Sequence, residues 1–295
     1  MPISGSLIGI VWNGSVFCIA QSTALVSTVY TSPDGINWTA RTIPVAQTTT
    51  GVGVLRNLIV LPSSGTTVVT SSDGINWSQG TIPISNCSIL ASNSSIICAT
   101  AFNGTAVTTS ADGITWTGPH ALGSTLNSNA PAMAWNGTVF CLVTAHAGAS
   151  LLHNILTSPD GVNWTRRVCP FALSLNCVYV RNSTFHFIGS GSATNLKTSD
   201  FINWESNATV TWSGITRSPS RYVAISRNSN LTASSTDGVN WTIGYLPVAI
   251  SWNRIVWNGS LFCVTSGGSL GSALLTATST DGVNWAIRWH YCSSY

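Results

Sequence analysis

Short runs of β-branched and aromatic residues, broken by polar turns, make up this chain, and no segment keeps the 3.6-residue period of an amphipathic helix. The clearest pair of runs flanks Asn13-Gly14, as Ile10-Val11-Trp12 before it and Phe17-Cys18-Ile19-Ala20 after it. The same phrase returns around Asn258-Gly259, with Ile255-Val256-Trp257 before and Phe262-Cys263-Val264-Thr265 after. Two such runs around Asn-Gly predict a β-hairpin. A third run, Thr28-Val29-Tyr30-Thr31, leads into an Asp-Gly pair, and a fourth, Ile36 to Arg41, leaves it. The unit is therefore four short antiparallel strands.

That unit repeats. Its signature occurs as Ser32-Pro33-Asp34-Gly35-Ile36-Asn37-Trp38, then around Asp73 and Trp77, Asp112 and Trp116, and Asp160 and Trp164. A degenerate copy holds Asp200 and Trp204, and two more hold Asp237 with Trp241 and Asp281 with Trp285. Successive Trp residues are 39, 39, 48, 40, 37 and 44 positions apart. Four strands per unit of roughly 40 residues is the pattern of a propeller blade. The expected fold is all-β, a single seven-bladed β-propeller over 1–295, with blades near 5–45, 46–84, 85–121, 122–170, 171–208, 209–247 and 248–295.

In each signature, Asp-Gly predicts a two-residue turn in which glycine supplies positive φ. The Ser hydroxyl and Asp carboxylate are placed to accept backbone N–H bonds there. The Trp is expected to fold back and bury its ring on the blade. In the fifth copy Phe201 stands in the glycine position, which predicts a differently shaped turn.

These residues resemble the Asp-box (BNR) repeat of sialidases and related propellers, although there one residue separates Asp from Gly. The compact Ser-X-Asp-Gly-X-X-Trp form, paired with Trp-Asn-Gly-X-X-Phe, is similar to repeats in tail and other structural proteins of tailed bacteriophages. The resemblance spans essentially the whole chain. It implies a virion component, made in the host cytoplasm, that docks to other virion proteins and recognises the host surface.

Charge changes the picture more than size does. Only 6% of residues are charged, against 44% hydrophobic, and the mean hydropathy is +0.29. Strands buried on both faces between neighbouring blades account for such scarcity. Lys197 is the sole lysine, the net charge is +3, and the ten arginines are scattered along the chain, which disfavours a phosphate-neutralising footprint for nucleic acid. No apolar run is long enough for a membrane helix, and the opening Met1-Pro2-Ile3-Ser4-Gly5 has no signal-peptide pattern. Neither nucleic acid nor membrane insertion is expected.

The acids weigh against hydrolysis. All seven Asp residues lie in the repeat, and Glu205 is the one remaining carboxylate. A sialidase-like or other glycosidase needs a pair of working carboxyl groups or an equivalent set, so the expectation is no catalytic residues. No P-loop, nucleophile elbow or zinc-protease motif is present. Cys18, Cys98, Cys141 and Cys263 recur at one blade position, too far apart to bridge, and read as buried thiols. Cys169 and Cys177 flank one inter-blade connection and form the sole candidate pair. No metal or cofactor is expected.

Recognition is expected on the face carrying the second-to-third loops and the inter-blade connections, where length varies most. His120, His146 and His153 are assigned to that face, with Trp212, Trp252, Arg217 and Arg254 as further candidate contacts. Trp12, Trp135 and Trp257, before the Asn-Gly turns, are either packing residues or sugar-stacking platforms. The second function class is accordingly a lectin-like propeller binding bacterial surface polysaccharide.

Overall fold

A computed structural model describes residues 7–21, 26–101, 104–123, 132–143, 155–167, 174–190, 194–203, 205–208, 214–226, 229–236, 241–250, 252–266 and 273–291. It holds seven four-stranded antiparallel sheets, each built from four consecutive strands in sequence order. Blade one runs Leu7–Trp12, Phe17–Gln21, Val26–Ser32 and Thr39–Gln47, and blade seven runs Trp252–Trp257, Phe262–Ser266, Ala273–Ser279 and Ala286–Tyr291. The other five first strands are Gly53–Leu55, Cys87–Ser92, Ala132–Trp135, Ser174–Arg181 and Gly214–Arg217. The chain is a seven-bladed β-propeller.

Burial follows strand position. Second strands such as Phe17–Gln21, Ile97–Ala101 and Phe262–Ser266 are buried along their length, whereas fourth strands such as Ser78–Thr81 and Thr242–Tyr245 are largely exposed. First strands of adjacent blades touch one another, as between blades one and seven, six and seven, and three and four. They therefore line the centre of the ring.

The core lies between blades rather than within them. Ile89, Cys98 and Val107 of blade three pack with Phe140, Leu142 and Leu156 of blade four. Phe17, Phe140 and Phe262 open their second strands, Phe185 is the second residue of its own, and all four are fully buried. Truncating one such ring to alanine costs about 3–5 kcal/mol in a typical core. Closure of the ring uses the same joint: Phe17, Ile19 and Tyr30 of blade one pack against Cys263, with Val256 and Leu261 beside it. Among the described residues no strand is exchanged across this seam, since both blades are continuous in sequence.

The Asp-Gly connections are longer than two-residue hairpins. Thr31 pairs with Thr39, and the loop runs from Ser32 to Trp38 between them. The Ser32 hydroxyl donates to Asp34 Oδ1 at 2.9 Å and accepts from the Gly35 N–H at 2.9 Å. Asp34 Oδ1 then accepts the N–H groups of Ile36 and Asn37 at 2.8 and 2.7 Å. The Asn37 amide donates to Asp34 Oδ2 at 2.8 Å. A carboxylate with several acceptor sites organises the loop, which a turn-type rule based on Asp-Gly alone does not anticipate.

Blade five departs from expectation in the other direction. Phe201 adopts φ 61°, close to the 71–76° of Gly35, Gly74, Gly113, Gly161 and Gly282. Its N–H donates to Thr198 Oγ1 at 2.8 Å, and Asp200 Oδ1 accepts from Ile202 and Asn203 at 2.9 and 2.8 Å. The turn keeps the shape of the others. Elsewhere the site is tight, since a Cβ on Gly161 would lie 2.5 Å from Cys98 Sγ. Phe201 instead packs its ring 5.3 Å from that of Phe185, and this contact offsets the cost of a left-handed non-glycine residue.

Candidate functional site

All first strands run in one direction through the ring, so their last residues gather at one mouth. Around that mouth stand Trp12, Leu55, Ser92, Trp135, Arg181, Arg217 and Trp257. Each pairs with the residue that follows the first turn, as in Trp12 with Phe17, Trp135 with Phe140, Arg217 with Tyr222 and Trp257 with Phe262.

The three indoles are half-buried and fixed from beneath. Their centroids lie 4.7, 4.5 and 4.5 Å from the rings of Phe17, Phe140 and Phe262, tilted by 54°, 52° and 50°. This recurrence follows from the Trp-Asn-Gly-X-X-Phe spacing. The loop is four residues long, Asn13 to Val16, and Asn13 Oδ1 accepts the N–H groups of Ser15 and Val16 at 3.0 and 2.9 Å. Asn93, Asn136 and Asn258 repeat the arrangement. In blade six the Ser218 hydroxyl takes the role, accepting from Arg221 N–H at 3.0 Å. The turn amides are thus engaged by side chains of the turn itself.

The same face is sewn from blade to blade. Asn13 Nδ2 donates to the carbonyls of Asn57 and Ser72, both at 2.8 Å. Arg56 Nε donates to Ser94 carbonyl at 3.0 Å, and Asn136 Nδ2 to Ser183 carbonyl at 2.9 Å. These links join the first turn of one blade to the turns of the next. They tie blade one to two, two to three and four to five.

Two guanidinium groups from adjacent blades meet at this rim. Arg181 of blade five and Arg217 of blade six lie 5.2 and 4.9 Å from the centroid of the buried Tyr222 ring. Arg181 Nε is buried without a hydrogen-bond partner. Arg217 is exposed. Arg221 instead donates from Nη1 to Ser234 Oγ, on the third strand of its own blade, at 2.9 Å.

The residues expected on the opposite face are scattered. Trp252 is fully buried among Leu246, Val264 and Leu275, and its Nε1 donates to Val248 carbonyl at 3.1 Å. It is a core residue and no contact site, because blade seven and the segment before it wall in its ring and that segment supplies its acceptor. His120 belongs to the fourth strand Trp116–Ala121 rather than a loop, half-buried, with a ring nitrogen 3.4 Å from Thr109 Oγ1. Arg217 sits at the turn-side mouth instead. Arg254 is exposed midway along the first strand of blade seven, and its charge reaches Cys177 on the first strand of blade five. His146, His153 and Trp212 lie outside the described residues, as do Trp204, Asp237 and Cys169.

The loop acids are committed to structure. Burial pushes Asp34 up, but the N–H groups of Asn37 and Ile36 outweigh it and bring the carboxyl down to about 2. The N–H groups of Thr115 and Ile114 hold Asp112 at about 2. Asp73, Asp160, Asp200 and Asp281 fall well below the usual carboxylate range in the same setting. The Trp rings close these loops: Nε1 of Trp38, Trp116 and Trp164 donates to the glycine carbonyl three residues back at 3.1, 3.2 and 3.0 Å. In Trp77 and Trp285 the same nitrogen is buried without a partner.

Cys177 is a free thiol, as are the buried Cys18, Cys87, Cys98, Cys141 and Cys263. Among the described residues no group of three or more His, Cys, Asp or Glu side chains is placed to hold a metal ion. No helix there is long and apolar enough to cross a membrane.

Several solved structures share this architecture. The GH74 enzyme of Niastella koreensis superposes with a TM-score of 0.72 at 15% identity, over 98% of this chain and 54% of its own. The chain thus spans about half the length of that enzyme. Virginiamycin B lyase from Staphylococcus aureus gives 0.72 at 11% identity, covering 90% of this chain and 94% of the lyase. YCF48 bound to D1 peptide gives 0.67 at 12% identity, covering 100% and 95%. At such identities the likeness is one of fold, on which function is not inherited. Among curated proteins none matches the sequence. The family model of the DUF6242 beta propeller domain matches residues 5–132 and 122–251, most of the length, and the chain belongs to that family.

Proposed function

We propose that this propeller acts by binding and performs no covalent chemistry, as a component of a tailed-phage particle in the tail, its fibres or the particle surface. The observation that carries the first half is the fate of the acids. Six of the seven repeat aspartates are described, and each has its carboxylate engaged by loop N–H groups, a hydroxyl or an Asn amide. Each is held ionised, which suits a loop staple and not a general acid. Glu205 is the one other acidic residue in the chain. The enzymes among the structural neighbours do not weigh against this, since their likeness is confined to the fold.

The second half rests on the compact form of the repeat and on the scarcity of charge. A surface with 6% charged residues in the chain favours association over free solution. Docking to neighbouring virion proteins would cover it. Mass spectrometry of purified particles tests the reading: the protein is expected at a fixed stoichiometry in the particle. Its absence there, or turnover in a broad glycosidase and lyase screen, would overturn the proposal.

A further inference from the structure

We infer that the turn-side mouth of the ring binds an acidic saccharide, through an arc of Trp135, Arg181, Arg217, Trp257 and Trp12. This deepens the binding-module reading and rests on it. The five residues occupy one structural position, the end of the first strand, in blades four, five, six, seven and one. Those blades are consecutive around the closed ring, so the order met by a ligand is indole, guanidinium, guanidinium, indole, indole.

Each part has a matching chemistry. The indoles are partly exposed and held in place by Phe140, Phe262 and Phe17, and such flat rings suit the C–H side of a pyranose ring. Preset rings lose little conformational freedom on binding. Between them, Arg181 and Arg217 converge on Tyr222 and make no ion pair among the described residues, where Arg181 Nε is buried with no acceptor. Two planar guanidinium groups favour a carboxylate, which satisfies several N–H donors at once. The six described loop aspartates do not supply it, as they are tied into their own turns.

An acidic peptide fits the same charge but less of the surface. An extended peptide gains affinity from main-chain hydrogen bonds. At this mouth the turn N–H groups of Val16, Val139 and Leu261 already donate to Asn13, Asn136 and Asn258. What is left to offer is aromatic faces and guanidinium groups, which a sugar acid with neutral neighbours matches.

The test is calorimetric titration of the folded full chain with oligogalacturonate, oligosialic acid, the carboxyl-reduced form of each, and poly-glutamate. One acidic oligosaccharide is expected to bind and to lose about tenfold or more in affinity on carboxyl reduction. Arg217→Gln, at an exposed residue without a hydrogen bond to lose, is expected to weaken that binding by a similar factor. Trp257→Ala is expected to weaken the acidic and reduced forms alike, while Tyr245→Ser, on the outer strand, changes neither. Silence with both acidic oligosaccharides overturns the inference, as does binding that Arg217→Gln and Trp257→Ala leave intact. Binding of poly-glutamate alone overturns it in favour of an acidic protein partner. The particle composition is measured separately, so a protein present in particles with an inert mouth loses this site and keeps its proposed role.

Discussion

The side-chain amide of Asn13 donates to the backbone carbonyl of Ser72 at 2.8 Å, tying the first turn of blade one to the Asp-Gly loop of blade two. The residues are far apart in sequence, and the same Asn13 also shapes its own turn through Oδ1. One short side chain thus sets local geometry and inter-blade registry together. Asn13→Ala removes both, leaving the part-buried carbonyls of Asn57 and Ser72 and the turn amides without this partner. The expected loss is about 1–3 kcal/mol, read as a lowered midpoint in denaturant; Asn13→Asp should restore the turn but not the link to Ser72, and so recover part of it.

Acid should weaken the fold over a defined window. The folded-state carboxyls of Asp34 and Asp112 sit at about 2, below the roughly 4 of an unfolded chain. A depressed folded value stabilises the native state above the unfolded pKa, and the contribution fades as pH falls from about 4 toward about 2. Thermal midpoints at low ionic strength are expected to be flat from pH 7 to 5 and to drop below 4. A flat profile down to pH 2 would contradict the staple role of these loops.

Asp34→Ala strips its loop of the acceptor for Ile36 and Asn37. By analogy with a lost helix cap the cost is about 0.5–2 kcal/mol. Hydrogen exchange at the amides of Ile36 and Asn37 should accelerate while the equivalent Ile75 and Asn76, held by Asp73, stay protected.

At Phe201 two effects oppose one another. Phe201→Gly relieves the positive φ but loses the ring contact with Phe185, whereas Phe201→Ala loses the contact and keeps the strain. The expected stability order is Phe201, then Gly, then Ala, with glycine ahead of alanine by about 1 kcal/mol. Chemical denaturation of the three variants decides it.

Burial pushes the thiols of Cys18, Cys87, Cys98 and Cys263 up to about 12. Their thiolate is scarce at neutral pH and shielded. Iodoacetamide at pH 8, followed by peptide mass mapping, is expected to leave them unlabelled in the native protein and to label them in urea.

Blade number and strand order were legible because the Asp, Gly and Trp of each unit answer to local loop chemistry, which recurs wherever the loop recurs. Phe201 misled because φ tolerance depends on the packing of its ring, and that packing is not written in the turn. Trp252 misled for a related reason: its departure from the repeat marks a space that the segment before blade seven helps to enclose, among Leu246, Val248 and Ile250. The arc at the mouth was hidden because Arg181 and Arg217 do not look like Trp12 or Trp257. Their equivalence emerges from strand register, in which each pairs with the residue just past the first turn.

The seam between blades seven and one is an ordinary joint, made of Phe17, Cys263 and Leu261, with no exchanged strand among the described residues. Topologically, the ring has no privileged starting point. A circular permutant opened between Leu122 and Ala132, with the present ends spliced by a flexible linker, should encode the same closed ring with a different blade order in the gene. Because each blade leans on its two neighbours much as a repeat does in a solenoid, evolution could add, drop or shuffle blades by duplicating one gene segment at a time.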